Sequence, residues 1–354
     1  MSSRPSAGGD AAGVSGGRLV REDPAAVSGR RPAGGDAAAE AARQAVVLLG
    51  KGLEGLADGC RERGLSVHTA PDAPMQQAAF CVVDYFGWLR RPLALRALKR
   101  RANRAGVPLI GWNRDAPWHK GAKRWRIALG RVLGLLDVYA THSLQESGRF
   151  PGRCLFLPNA AWTQRYHLSG RSLAELAEPA GYRWDVSFIG NLDAAGHPEH
   201  RDRTEALAAL AAALQAEGVA VLLRDSRELD AAAQVGIIQR SRINLSLGAA
   251  CDLPGLRSAG LPERCFGIPA CGGFLLSDRR EHAALSFTPG LDWADFTDPQ
   301  DALVQIRRWL GDFVALRRLA EAAHRRVLRE HTYAHRVDTL LCAAREWRAS
   351  RGLR

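Results

Sequence analysis

The sequence predicts two α/β domains, each a parallel sheet wrapped by helices. Three observations carry this expectation. The chain has 354 residues, room for two domains of ordinary size. Short apolar runs of strand length alternate with longer helical runs through both halves, the signature of parallel strands joined by crossover helices. Between the halves, Pro158-Asn159 opens a polar stretch that interrupts the alternation and reaches residue 183.

Residues 1–44 are rich in Gly, Ala, Ser and Pro and show no apolar periodicity. They read as a disordered tail, with the Ala-rich segment 37–45 a candidate helical extension. The N-terminal domain spans 45–160 and opens with a strand at 45–49. Gly50-Lys51-Gly52-Leu53-Glu54-Gly55 follows, a G-x-G-x-x-G between strand and helix. Two readings stay open. One is a dinucleotide fingerprint with Asp72 as the ribose acid. The other is a glycine turn whose backbone lines a cleft. The second ranks first, because the strand at 65–68 ends without an acid. Further strands fall at 79–84, 107–112, 137–141 and 154–157. Helices fall at 91–104, 120–136 and 144–148. Residues 161–183 form the linker.

The C-terminal domain, 184–325, repeats the scheme. Its strands lie at 185–189, 219–223, 243–247 and 274–277, and its helices at 203–216, 228–239, 264–271 and 299–310. Gly272-Gly273 sits between the third of these helices and the last strand, where a positive φ is tolerated. The tail, 313–348, reads as nearly unbroken helix, with 326–354 as a C-terminal helix.

Composition narrows the function. Hydrophobic residues make up 46% and charged residues 24%, the balance of a globular protein in water. The net charge of +12 raises nucleic acid as a partner. Against it, only Lys51, Lys99, Lys120 and Lys123 of 49 cations are lysine, and no RNA-recognition, KH or zinc-finger pattern occurs. No nucleic-acid partner is expected. The seven cysteines are odd in number and contain no C-x-x-C, so neither a disulfide framework nor a zinc site is indicated. A cytoplasmic protein is expected, with no apolar run of membrane-span length and no signal-peptide core. The cations between Arg90 and Arg131, with Trp118 and Trp125 among them, open peripheral membrane contact as an alternative to plain solvated helix faces.

In parallel sheets, ligands gather at the carboxyl ends of strands. That places Asn191, Arg224 and Ser246 of the second domain at a cleft. It likewise places Asp115, His119 and His142 of the first domain there, as candidate proton acceptors. Each has a plainer reading as a structural polar residue. Arg201 and Arg203 open the helix after the first strand of the second domain, within reach of a phosphate.

A resemblance sharpens this. "LPERCFGIPACGGFLLSD" (261–278), "WDVSFIGNL" (184–192), "DALVQIRRWLGD" (301–312) and "VLREHTYAHRVDTLL" (327–341) resemble the CgeB-type, spore-protein-like glycosyltransferases, relatives of the family-1 and family-4 retaining enzymes. The resemblance covers roughly 184–341. It implies a GT-B fold, with two Rossmann-like domains facing across a cleft and a C-terminal helix crossing back. It implies transfer of a sugar from a nucleotide-sugar donor, bound as substrate, to an unknown glycan, lipid or protein acceptor, without a cofactor or metal. Gly50, Gly52, Asn191, Arg203, Arg224, Ser246, Arg264, Gly267, Gly272 and Gly273 would then line the donor side. Arg264 matches the family arginine directly. Gly267, however, stands where the family carries a ribose-binding Glu, and Ala259 stands where a second acid is expected. These departures keep a second reading open, a GT-B-fold binding protein without catalysis.

Overall fold

A computed structural model describes residues 43–115, 124–145, 147–197, 200–248 and 259–353. The first sheet holds β1 (Ala45–Leu49), β2 (Ser66–His68), β3 (Ala78–Asp84), β4 (Leu109–Asn113), β5 (Val138–Thr141) and β6 (Arg153–Phe156), in the order β2-β1-β3-β4-β5-β6. The second holds β7 (Trp184–Gly190), β8 (Val221–Asp225), β9 (Ser241–Ser246), β10 (Leu275–Asp278) and β11 (Ala294–Phe296), in the order β11-β10-β9-β7-β8. Every pairing within both sheets is parallel. Strands such as Val46–Leu49 and Phe80–Val83 are buried on both faces, which is why they read as continuous apolar runs and not as alternating ones.

In the first domain, helices α1 (Glu54–Glu62), α2 (Tyr85–Leu89), α3 (Pro92–Arg104) and α4 (Arg124–Val132) cover the sheet. In the second, α5 (Arg201–Ala216), α6 (Ala231–Gln239), α7 (Arg264–Ala270), α8 (Pro299–Gly311) and α9 (Phe313–Glu330) do the same. The chain ends in α10 (Tyr333–Ala349).

The last helix belongs to the first domain's core. Tyr333, Val337, Leu340 and Ala344 bury among Leu56, Cys60, Trp112 and Ala140. Gly55 and Gly59 of α1 admit this contact. A Cβ at Gly55 would lie 2.4 Å from the Tyr333 ring, and one at Gly59 would lie 2.6 Å from the Tyr333 backbone. Arg63 and Asp338 add a 2.6 Å ion pair across the same packing.

The predicted unbroken tail is two helices. Backbone at 331–333 pairs with the linker, Ala161 N donating to His331 O and Tyr333 N to Ala161 O. Thr332 is held extended by this pairing and caps α10 together with His335. The expected boundary at 325/326 falls inside α9. Short-range differences also occur. The helix expected at 144–148 is a 3-10 turn at Ser147–Arg149, and α2 and β11 were not foreseen. Most of the expected disordered tail lies outside the described residues. Arg43, by contrast, is anchored, donating to the Ala78 and Ala105 carbonyls.

Candidate functional site

The carboxyl ends of both sheets meet at one seam. From the first domain come Asn113 to Asp115 after β4, and His142 to Gln145 after β5. From the second come Ala259 to Glu263 and the residues after β10. Asn159 Nδ2 donates to Leu261 O at 3.0 Å, Leu144 N to His282 Nε2 at 2.9 Å, and Ala259 N to Gln145 Oε1 at 3.1 Å. Gly260 is required here, since a Cβ would come within 2.2 Å of the His142 ring. Glu263 receives the Tyr333 hydroxyl at 2.6 Å and faces Arg114 at 3.9 Å, so it ties the junction while also bordering the neighbouring cavity.

Beside this seam lies a cavity of about 270 Å³, lined by Tyr166, Ile189, Gly190, Gln234, Asn244 and Arg264 among others. Three charged residues border it, Arg165, Glu263 and Arg264. The Arg264 guanidinium borders the cavity, donates to the Ile189 carbonyl at 3.4 Å and packs on the Phe188 ring at 5.4 Å. Among the described residues, no carboxylate pairs with it. Burial pulls its pKa below the ordinary arginine value, against the opposing pull of Cys265 and Asp278. Gly190 keeps the space for this side chain, because a Cβ would sit 3.0 Å from Arg264 Nη1. A half-buried cation without a carboxylate partner at the carboxyl end of a parallel sheet is suited to an anionic ligand.

The other donor-side candidates are distributed differently. The Asn191 side chain accepts from Asp193 N at 2.9 Å and closes its own turn. Arg203 is buried under Phe188 and donates to the Asn191 carbonyl, so it braces the β7–α5 loop and does not reach into the cavity. Arg224 is exposed and pairs with Glu228 at 3.7 Å. Ser246 is fully buried with its hydroxyl against the Cys265 sulfur at 3.8 Å, an internal contact. Gly272 and Gly273 precede β10, at the amino end of the sheet and away from the seam. Their lack of side chains is explained by packing: a Cβ would meet Leu176 at 2.6 Å and Ile238 at 2.7 Å. The turn marks the entry to a strand and not its exit, so the donor-side place that the resemblance implied for it lies at the opposite end of the sheet from the seam.

Gly267 is covered by an aromatic ring. Tyr166, from the linker, lies so close that a Cβ at 267 would stand 3.1 Å from Tyr166 Cδ2. The tyrosine hydroxyl donates to Gln234 Oε1 at 3.2 Å. Tyr166 and Gln234 were not foreseen, since a tyrosine in a polar linker carries no periodic or motif signal.

On the first domain's side, Asp115 is exposed and its backbone N–H is held by Asn113 Oδ1 at 3.0 Å. His142 is buried, and its Nδ1 has no hydrogen-bond partner among the described residues. Burial lowers its pKa to about 4, partly offset by Asp115. His119 lies outside the described residues. Gly50 and Gly52 both hold positive φ. A Cβ at Gly50 would lie 2.5 Å from Asp84 Cβ, and one at Gly52 would lie 1.9 Å from Arg114 Nη2. The G-x-G-x-x-G is thus accounted for by Asp84, Arg114 and Tyr333. Asp84, at the end of β3, joins this side unforeseen. Burial raises its pKa, with Arg114 opposing. Among the described residues, no group of three or more His, Cys, Asp or Glu is placed to hold a metal ion, and no helix is long and apolar enough to cross a membrane.

Residues 172–342 match the family described as "Glycosyl transferase-like". No curated protein matches the chain by sequence. Among solved structures, sucrose-phosphate synthase (tll1590) from Thermosynechococcus elongatus is similar with a TM-score of 0.55 at 11% identity, covering 88% of this chain and 100% of that one. Anabaena Alr3699/HepE, solved in complex with UDP-glucose, has a TM-score of 0.55 at 11% identity, covering 86% and 99%. The two parallel-sheet domains and the returning helix are the GT-B architecture, and the match to the glycosyl transferase-like family falls on the second domain.

Proposed function

We propose that this protein transfers a sugar from a nucleoside-diphosphate donor to an acceptor held at the seam between its domains. Arg264 is the single observation that carries the reading. A departing diphosphate needs fixed positive charge aimed at it, and a cation already in place costs no reorganisation as charge develops. Arg264 is such a group, held by the Ile189 carbonyl and the Phe188 ring at the edge of the cavity. Charge neutralisation would fall to guanidinium groups and not to a metal. Gly190, on the cavity lining, would face the same ligand with its backbone. Acceptor-side proton transfer would fall to His142, Asp115 or Asp84, the titratable groups at the facing strand ends. The HepE complex with UDP-glucose makes uridine diphosphate sugars the first donors to try. Retention of configuration and membership of a CgeB-like branch rest on the motif resemblance.

One observation favours a second reading, a non-catalytic binder. Tyr166 covers Gly267, the position where the resembling family places its ribose-binding acid. The two readings separate in a donor-turnover assay. Incubating the protein with radiolabelled UDP-glucose and related donors should release nucleotide slowly through transfer to water, even without the acceptor. Saturable binding with no release from any donor would leave the binder reading in place.

A further inference from the structure

We propose that the outer face of the first domain, formed by α3 and α4, is a docking surface for an anionic lipid bilayer. Three features on this face agree, and none depends on the transferase reading.

The first is charge. Residues 85–136 contain thirteen Lys and Arg against one acid, Asp115. That balance of +12 equals the net charge of the whole chain, so the remainder is neutral. On α3, the solvent side carries Arg96, Arg100 and Arg104 in successive turns, and none of them pairs with a carboxylate among the described residues. Together with Asn103, Leu133 and Gly134 they line a groove of about 470 Å³. Lys99 is not part of the free charge, since it is turned inward to the Gly134 and Leu136 carbonyls.

The second is the polarity of α4, which is reversed for a surface helix. Ile127 and Gly130 face the core, as expected. The opposite side carries Trp125, Leu129 and Val132, spaced i, i+4, i+7, with exposures of 58%, 37% and 83%. These three residues and Leu93 of α3, at 78%, make four of the ten large apolar side chains exposed among the described residues. Arg124 and Arg131 flank the stripe on one side and Arg126 on the other, by helical spacing. An apolar stripe bordered by arginines is the composition of a helix that lies in a bilayer interface, with its charges reaching up to the headgroups.

The third is the combination. A surface evolved only for phosphates needs cations and has no use for an outward Leu-Val stripe. A surface evolved only for a protein partner does not need a row of arginines without carboxylate partners, as Arg96, Arg100 and Arg104 are among the described residues. An anionic bilayer satisfies both, with the apolar side chains entering the acyl boundary and the arginines meeting lipid phosphates.

The test is vesicle flotation of the full-length protein at physiological salt, with phosphatidylcholine alone and with added phosphatidylglycerol. The expected result is binding to the anionic vesicles only. Replacing Arg96, Arg100 and Arg104 by Ala should weaken it on the order of a hundredfold. Replacing Trp125, Leu129 and Val132 by Ser should weaken it about tenfold or more. These positions are exposed, so unchanged thermal unfolding in both triple variants shows that the fold is intact. Absence of binding to anionic vesicles overturns the proposal. Tight binding to a short nucleic-acid duplex that competes with vesicles and ignores the Ser triple variant overturns it in favour of a nucleic-acid surface. A concentration-dependent dimer abolished by the Ser variant overturns it in favour of a second copy of the chain.

Discussion

Tyr166 closes over Gly267, its ring 3.1 Å from the point where a Cβ at 267 would stand. A linker residue thereby occupies the space beside α7 that a longer side chain would need. Two effects of opposite sign meet at this position. Gly to Ala in a helix stabilises by about 0.5–1 kcal/mol through propensity, while crowding the ring costs about 1–3 kcal/mol. We predict that Gly267→Ala destabilises the native chain but stabilises a Tyr166→Ala background. Urea unfolding of the four proteins of the cycle reads the coupling. Additive effects would show that the ring does not constrain position 267.

The glycines of α1 make a paired prediction. Both Gly55 and Gly59 lie against Tyr333, but Gly55 meets its ring and Gly59 its backbone. Ala at either position should cost about 1–3 kcal/mol or more. Truncation to Tyr333→Ala should relieve Gly55→Ala and leave Gly59→Ala as costly as before. Equal relief of both would place the steric conflict elsewhere.

That contrast bears on what the sequence disclosed. The alternation of apolar and helical runs located ten of the eleven strands within a few residues, helped by strands such as β1 and β3, whose burial on both faces leaves continuous apolar text. It could not divide the final helix, since the break at His331–Thr332 is imposed by pairing of Thr332 with Ala161, far upstream in the linker. The same holds for the site. Arg264 was legible because it sits in a motif at a strand-and-helix junction. Gly52 and Gly55 were legible as glycines, but their reasons, Arg114 and Tyr333, are tertiary. Arg203 and Ser246 sit at the expected strand ends and helix starts, yet packing turns their side chains inward. Tyr166 and Asp84 carried no motif and surfaced only through geometry.

Acid sensitivity follows from two buried histidines. His142 and His331 have pKa values lowered by burial to about 4 and about 3. At His331 the cause is visible, as Nδ1 faces the Arg336 guanidinium at 3.2 Å and Nε2 meets the Ser286 carbonyl at 2.7 Å, a pattern that only the neutral ring satisfies. An unfolded histidine titrates near 6.5. Between about pH 6.5 and 4 the unfolded chain therefore binds protons that the native chain does not, and stability falls as pH falls through this window. Each histidine should contribute about 1 kcal/mol per pH unit there. His142→Asn should flatten the dependence of Tm on pH between 6.5 and 4.5. An unchanged slope would mean that His142 is already protonated in the fold or free to open to solvent.

Arg264 offers the most direct test of the central claim. The measurement is calorimetric titration of the protein with UDP, GDP, TDP and CMP sugars, repeated with Arg264→Ala and Arg264→Lys. The account predicts binding of one nucleotide class, lost by about 1.5–3 kcal/mol or more in Arg264→Ala, the range for a hydrogen bond to a charged group. Arg264→Lys should recover only part, because a point charge cannot replace a two-pronged donor. Nucleotide binding of equal strength in the wild type and Arg264→Ala, with both folded, would contradict the assignment of this cavity as the donor site.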